Sequence, residues 1–428
     1  SGKTVTLASG ASQSGFGRTG TVDWQTSIKT GDFTAANGEG YFVDTSSGTI
    51  TVTLPSSPSA GNIVSIADYA KTFDTSPCTI NRNSEPIQGE TFNLVLGTEG
   101  QAVTLIYADG TKGWIPVNSN ETVNEVKFIA ASGGSEATSG DFKIHTFTGP
   151  GTFTVTCAGN AAGSNTVSYV VVAGGGGGGD GRGGGGGGGG YREGLGLNDS
   201  YTGSPLRAPV GVPVPAQSYP ITVGAGGAGA SSSDDDGVDG NNSIFSTITS
   251  AGGGAGGAVN SGNPTKIGKP GGSGGGAGGT FCASSAQPGG TGNTPPVSPP
   301  QGNNGGNGVN NGPPTVPSAS SHGATGGGAG GAGSPATGTP APGQGGVGVP
   351  TSITGSPVSY SGGGGGASDD GRTLGSTCGT GGDGQTPSAP STTKTGTVNR
   401  GGGGGGVRVS LGGGAGGSGV VIIRYKFQ

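Results

Sequence analysis

GGGGGGDGRGGGGGGGG, residues 174–190, follows directly on the strand-like segment YVVVA at 169–173. Similar passages recur downstream. YPITV (219–223) leads into GAGGAGA, IFSTI (244–248) into AGGGAGGA, and the segment 353–360 into SGGGGGA. The end of the chain reverses the order, with GGGAGGSG leading into VVIIRYKF at 420–427. Glycine loses more conformational freedom on folding than any other residue, roughly 0.5–1 kcal/mol relative to alanine. An ordered tract of this kind therefore needs a cooperative lattice of backbone contacts, and what that lattice is decides the fold.

Four readings compete. The Pro, Gly and Ser content is that of aperiodic, disordered sequence. Collagen requires glycine at every third position, and runs of consecutive glycines without an X-Y register break that rule. Cross-β stacking gives no reason for the long irregular insertions between runs. The reading preferred here is a bundle of extended left-handed helices of the polyproline II type built from glycine. Such helices rise about 3.1 Å per residue without internal hydrogen bonds, so an eight-residue run is about 25 Å long. Lacking side chains, neighbours approach closely enough to pair their N–H and C=O groups, as buried backbone requires, with Cα–H···O contacts adding a little. The tract 174–190 should then be a buried or rim-lying pair of helices broken at Asp180-Gly181-Arg182, within a flat slab bearing loops at its rims.

Of the 106 glycines, 21 lie in the first 160 residues, so composition divides the chain into two regimes. The formal net charge is −5. No basic patch suited to phosphates is apparent, which argues against nucleic acid. No apolar stretch approaches the roughly 20 residues of a membrane span. Cys78, Cys157, Cys282 and Cys378 are widely spaced, without a CxxC pair. They read as small buried hydrophobes, with a Cys282–Cys378 bridge as the alternative. The chain begins at Ser1 and has no methionine, so a preceding segment is expected.

Residues 20–118 read as short strands between turns. TITVTL (49–54) alternates at period 2, and strand-like segments follow at 62–66, 78–80, 92–96, 103–107 and 113–117. This spacing suggests a sandwich or barrel-like module. Residues 1–19 are a connector and 119–139 a polar linker. A second β unit opens at 140 and feeds the glycine-rich domain, 140–428. The fold class is all-β N-terminal modules followed by a polyglycine II bundle with inserted loops and essentially no α-helix. Between the runs lie Pro-, Asn-, Ser- and Asp-rich segments of unequal length.

Catalytic signals are poor. His145 reads as an exposed or half-buried strand residue and His322 as a loop residue, and two isolated histidines make no catalytic set. GxGxxG matches abound but lack the strand–helix context that would make them phosphate loops. The acidic segment 234–241 lacks the glutamate and helices of a calcium loop and reads as a solvated tip. In the last strand Val421, Ile423 and Tyr425 are expected to face inward, with Arg424 and Lys426 toward solvent. No catalytic residue, metal site or cofactor is expected.

SGDFKIHTFTGPGTFTV (139–155), VSYVVVAGGGGGG (167–179) and SGVVIIRYKFQ (418–428) together resemble the glycine-rich domain of bacteriophage tail-fibre adhesins and related marine-phage structural proteins. Upstream, the segments 40–73 and 104–117 resemble a β module found ahead of that domain. The resemblance implies a virion tail-fibre protein, non-enzymatic and homotrimeric. It would associate with other tail or fibre proteins, bind neither nucleic acid nor membrane interior, and recognise a bacterial surface protein or glycan through loops on the glycine scaffold. Aromatic and arginine side chains are the usual interface anchors. The candidates beside loops are Tyr191, Arg192, Tyr201, Arg207, Asp236, Asp239, Phe281, His322, Asp369 and Arg372, against the plainer reading that some merely pack across the rim. Two alternatives stay open. One is a structural virion or extracellular filament protein that assembles by slab stacking. The other is an antifreeze-like protein, which the irregular runs and long loops disfavour.

Overall fold

The computed structural model describes residues 22–117, 127–160, 163–232, 235–258, 267–279, 287–308, 322–336, 344–368, 379–385, 393–408 and 412–428. The chain forms two compact units, Ser1–Lys127 and Phe128–Gln428. Every regular element among the described residues is a strand.

In the first unit the chain passes alternately between two sheets. Asp23–Trp24, Glu39–Val43 and Ile63–Asp68 pair in parallel in one sheet. Phe33–Thr34, Ile50–Thr53 and Cys78–Asn81 do the same in the other. Leu94–Leu96, Ala102–Asp109 and Gly113–Pro116 then close both sheets with antiparallel pairs. The start is thus a short two-sheet coil. Alternation in Ile50–Thr53 sends Ile50 and Val52 into a core that also holds Val43, Leu54, Ile66, Phe73, Ile80 and Trp114. Every strand read from the sequence here is present; the parallel pairing was not foreseen. Cys78 is buried within this core, as a small hydrophobe would be, while Cys157 in the second unit is half-buried. Cys282 and Cys378 lie outside the described residues.

The second unit roots the glycine runs in two sheets. Thr166–Val172 is the pivot: it pairs with Val420–Lys426 on one side and Tyr191–Gly194 on the other. Phe142–Phe147 flanks the far edge of Val420–Lys426. Facing them, Gly151–Ala158, Ser218–Thr222, Ser243–Phe245 and Ile248–Ser250 form the second sheet with Ile129–Ser132. Phe153, Tyr169, Tyr219, Phe245, Ile423 and Tyr425 fill the space between. Val170, Val172, Val420 and Ile422 point the other way and are buried too, against the hairpin formed by Val349–Thr351 and Val358–Tyr360. A continuous aliphatic run marks a strand covered on both faces, which is why YVVVA and VVII are not alternating.

That double burial corrects the reading of Arg424. It is only 6% exposed, and its Nε lies 3.1 Å from both carboxylate oxygens of Asp199. His145 is also corrected, being fully buried. Its Nδ1 is 2.7 Å from the Gly133 carbonyl and its Nε2 is 3.0 Å from the Tyr425 hydroxyl. A carbonyl only accepts, so Nδ1 carries the proton and neutral Nε2 accepts from Tyr425. Burial first, then Lys143, holds the imidazole below its ordinary value of 6.5, outweighing the Gly133 carbonyl and Glu136. Burial likewise pushes the Tyr425 phenol up to about 12. A histidine depressed on folding binds its proton more readily in the unfolded chain, so its contribution is intact above 6.5 and is lost as pH falls below it. Melting temperature should therefore drop more steeply between pH 7 and 5 in the parent than in His145→Gln; equal slopes would contradict this.

The glycine runs are three-fold helices. Gly174, Gly177 and Asp180 donate to the carbonyls of Asn241, Val238 and Asp235. Gly175 and Gly178 donate to Gly417 and Gly414, and Gly176 and Gly179 to Gly187 and Gly184. Each neighbour is thus met at every third residue, the repeat of a polyproline II-type helix. No glycine within 174–179 or 183–190 has φ in the left-handed region; Gly181, Gly401 and Gly412, which do, sit at run ends. The carbonyls of 174–179 reach three further runs, accepting from Gly253 and Gly256, Gly227 and Ala230, and Gly404 and Val407. The helix 174–179 therefore has six neighbours: 224–230, 235–241, 251–258, 183–190, 402–407 and 412–419.

Extending the same pairings gives a hexagonal lattice seen end-on. Its middle row is 224–230, 174–179, 183–190, 322–328 and 333–336. On one side lie 235–241, 251–258, 273–279 and 303–308, with 267–270 and 287–292 beyond them. On the other lie 412–419, 402–407, 361–368 and 344–348, with 393–397 and 379–385 beyond. This is thicker than a flat slab. The tract 174–190 lies along its axis, as the expected helix pair turning at Asp180–Arg182.

Peripheral runs carry a three-residue register that the sequence reading overlooked. Their solvent-facing positions are Ala225 and Ala228; Asp235, Val238 and Asn241; Pro288 and Thr291; Asn304 and Asn307; Ala332 and Pro335; Gln344 and Val347. A helix at the lattice edge needs glycine where it packs closest against its neighbours and tolerates side chains at its outer positions. Those side chains also occupy the places where another helix would pair, much as exposed sheet edges are blunted. Ala225→Gly combined with Ala228→Gly should therefore induce concentration-dependent self-association in sedimentation, where the parent shows none through this edge.

Candidate recognition surface

Hydrogen-bond register gives every run a direction. Residues 174–179, 224–230, 251–258, 273–279, 303–308, 333–336, 361–368, 379–385 and 402–407 run parallel to one another, away from the β root. The runs 183–190, 235–241, 267–270, 287–292, 322–328, 344–348, 393–397 and 412–419 return. One end of the lattice is thus occupied by strands and short turns. The opposite, distal end collects Asp180–Arg182, Ser232, Asp235, Ala258, Gly279, Gly308, Ala336, Ser368, Gln385 and Arg408.

The centre of the distal end is the turn joining the two axial helices. Asp180 is fully buried; its carboxylate accepts from the amides of Gly181 and Gly412. Arg182 adopts φ 64° and is half-buried. Its amide donates to the Arg408 carbonyl at 2.8 Å, and its carbonyl accepts from Gly279 at 3.1 Å. Toward the rim, Asp235 accepts from the Ser232 hydroxyl. Asp236 accepts from the Ala258 amide at 2.9 Å and faces Lys269 at 3.4 Å. Asp239 takes the Ala255 amide at 2.7 Å. The acidic segment is therefore not simply a solvated tip: its carboxylates cap amides of the adjacent run 251–258. Among the described residues no His, Cys, Asp and Glu cluster suited to a metal ion occurs.

The sequence-derived candidates divide between the two ends. Tyr191, Arg192, Tyr201 and Arg207 belong to the root. Tyr191 is 1% exposed and donates to Glu193 at 2.9 Å. The same carboxylate, itself 2% exposed, accepts from the Thr351 hydroxyl at 2.7 Å and the Ser204 amide at 2.8 Å. Burial, then the Glu193 charge, raises the Tyr191 and Tyr201 phenols. These tyrosines fasten the 349–360 hairpin to the sheet. Arg192 and Arg207 are half-buried beside them. At the distal end, Asp236 is partly exposed, and His322 opens the return run 322–328 at only 5% exposure, contrary to a solvated loop histidine. Phe281, Asp369 and Arg372 lie outside the described residues.

Glu193 and Asp199 were missed, and Asp180 and Arg182 were read only as the break in the tract. The last two carried a signal, being the non-glycine residues of the tract 174–190. Residues 146–426 match the glycine-rich domain family. No curated protein matches the chain.

Proposed function

Because the chain belongs to the glycine-rich domain family over residues 146–426, we propose that it is a receptor-binding protein of a bacteriophage tail fibre, reading the bacterial surface with the distal end of its glycine lattice. The observation that carries this reading is the common direction of the outward runs, which brings unlike sequence segments to one end of a rigid scaffold. A lattice whose interior is paired through backbone places little demand on what joins its helices. Recognition can then vary while the scaffold stays constant, the usual division between rigid elements and functional loops. On this reading the protein is non-enzymatic, sits in the virion as a homotrimer with other tail or fibre proteins, and contacts an outer-membrane protein or a glycan.

The test is adsorption of the full chain to a panel of bacteria, with a second protein in which residues 259–266 and 309–321 are replaced by Gly/Ser sequence of equal length. The reading expects the parent to label a subset of strains and the replacement to lose that labelling while melting at the same temperature. Failure of the parent to bind any strain that the source phage infects, or undiminished binding after replacement, would overturn it.

A further inference from the structure

The outer faces of the two sheets in the first unit differ in kind. Residues paired directly across strands share a face. In the sheet containing Ile50–Thr53, the positions turned from the core are Thr34, Thr51, Thr53, Thr79 and Asn81, a hydroxyl-rich surface. In the other sheet Tyr41, Val64, Leu105 and Trp114 enter the core, and the alternating positions form three ranks outside. Ile63 pairs with Ile106, and Ile106 with Ile115. Trp24, Gly40, Ser65 and Thr104 form the next rank, and Phe42, Ala67 and Ala102 the third. None of these positions is charged.

The face is organised to be covered. Its two hydroxyls, Ser65 and Thr104, are bonded to each other at 2.8 Å, so sealing the surface leaves neither unpaired. Gly40 makes room for the Trp24 ring, since a Cβ there would stand 2.8 Å from its Cδ2. Trp24 stacks on Phe42 with centroids 4.7 Å apart, yet the two remain 42% and 38% exposed. Contiguous exposed apolar surface of this kind marks an interaction site. Residues 22–117 carry four basic against ten acidic side chains, which disfavours an anionic membrane as the cover. Five strands about 4.8 Å apart and three ranks about 6.7 Å apart make the face roughly 24 by 20 Å. Two copies placed face to face would bury about 1,000 Å², the lower bound of a specific interface. With no charge and no open hydrogen-bonding side chain to be matched, the face is complementary to itself, as association through identical patches requires.

We propose that this outer face is an interface between copies of this chain, which covers Trp24 and Phe42. The inference rests on the homo-oligomer of the proposed function, to which it assigns the surface, and is independent of what the distal end binds.

The full-length parent is followed by sedimentation and by acrylamide quenching of tryptophan emission, from nanomolar to high-micromolar concentration. The chain has two tryptophans, and Trp114 is fully buried, so quenching reports on Trp24. Expected is an oligomer that dissociates on dilution, with Trp24 quenched in the monomer and shielded in the oligomer. Phe42→Lys should raise the dissociation constant at least about tenfold, as loss of an aromatic anchor does. Thr79→Lys, on the outer face of the other sheet, should leave it unchanged. Both variants should melt with the parent at dilutions where all are monomeric. A parent that stays monomeric overturns the inference and the homo-oligomer with it, and shielding of Trp24 in that monomer would mean that another part of the same chain lies on the face. An oligomer in which Trp24 stays quenched, or which Phe42→Lys leaves intact, associates elsewhere; it overturns the inference and leaves the homo-oligomer standing. Labelling of bacteria by the parent tests the recognition reading separately.

Discussion

Gly186→Ala should destabilise the glycine-rich unit by about 3 kcal/mol or more in denaturant unfolding, an effect at or above the upper end of overpacking costs. A Cβ on Gly186 would stand 2.0 Å from the Gly176 carbonyl oxygen and 2.5 Å from its carbon. Overpacked cores usually relieve themselves by rotating a side chain. Here the obstacle is backbone, and that backbone is paired in turn: Gly176 donates to Gly187 and its oxygen accepts from Gly404. Moving 176 away breaks bonds on two other helices, so the strain spreads through the lattice. Gly178→Ala meets the Gly405 oxygen at 2.1 Å and should behave alike. The control is Ala228→Gly at the exposed edge, where the change should stay within about 1 kcal/mol. Equal stability of Gly186→Ala and the parent would contradict the lattice.

Asp199→Ala is expected to cost about 3–5 kcal/mol, the range for removing one partner of a buried ion pair. The Arg424 and Asp199 side chains are 7% and 2% exposed. Arg424 also reaches the Ile353 carbonyl at 3.3 Å and stacks over Phe142 at 4.2 Å. Asp199 accepts from Ser168 at 2.7 Å. Without the carboxylate, a guanidinium remains sealed between the final strand and the 349–360 hairpin. Replacing both partners, as in Asp199→Leu with Arg424→Met, should recover much of the loss, since apolar isosteres of buried pairs are often neutral. Thermal melts of the single and double variants check this, and an Asp199→Ala protein melting with the parent would refute it.

The glycine helices and their pairing through backbone follow from runs that leave no side chains to pack. The β strands feeding them were legible because aliphatic residues stop abruptly at glycine, as Val170–Ala173 stop at Gly174. What the sequence reading lost is instructive. It found no register in the runs, whereas a three-fold helix at an edge makes every third position a surface position, as at Ala225 and Ala228 or Asn304 and Asn307. It assigned Arg424 to solvent on strand alternation, which fails where both faces of a strand are covered. It drew Tyr191 and Tyr201 toward the receptor because scarce aromatics beside loops suggest anchors. Their polar tips are instead held beside Glu193, which is itself bonded by Thr351 of a hairpin more than 150 residues away, a contact that no local pattern reveals. The directions of the runs, and so the end of the lattice that carries the connections, depend on pairing among helices and could not be read from any one of them.

Amide hydrogen exchange across residues 174–190 tests the central claim most directly. In the lattice the amides of Gly174–Asp180 and Gly183–Gly190 are each bonded to another segment, deep in the array, so they should exchange only on global unfolding, as slowly as those of the pivot strand Thr166–Val172. Exchange of this tract at the rate of an unstructured glycine peptide, while Thr166–Val172 stays protected, would mean that the glycine is a tether and not a scaffold.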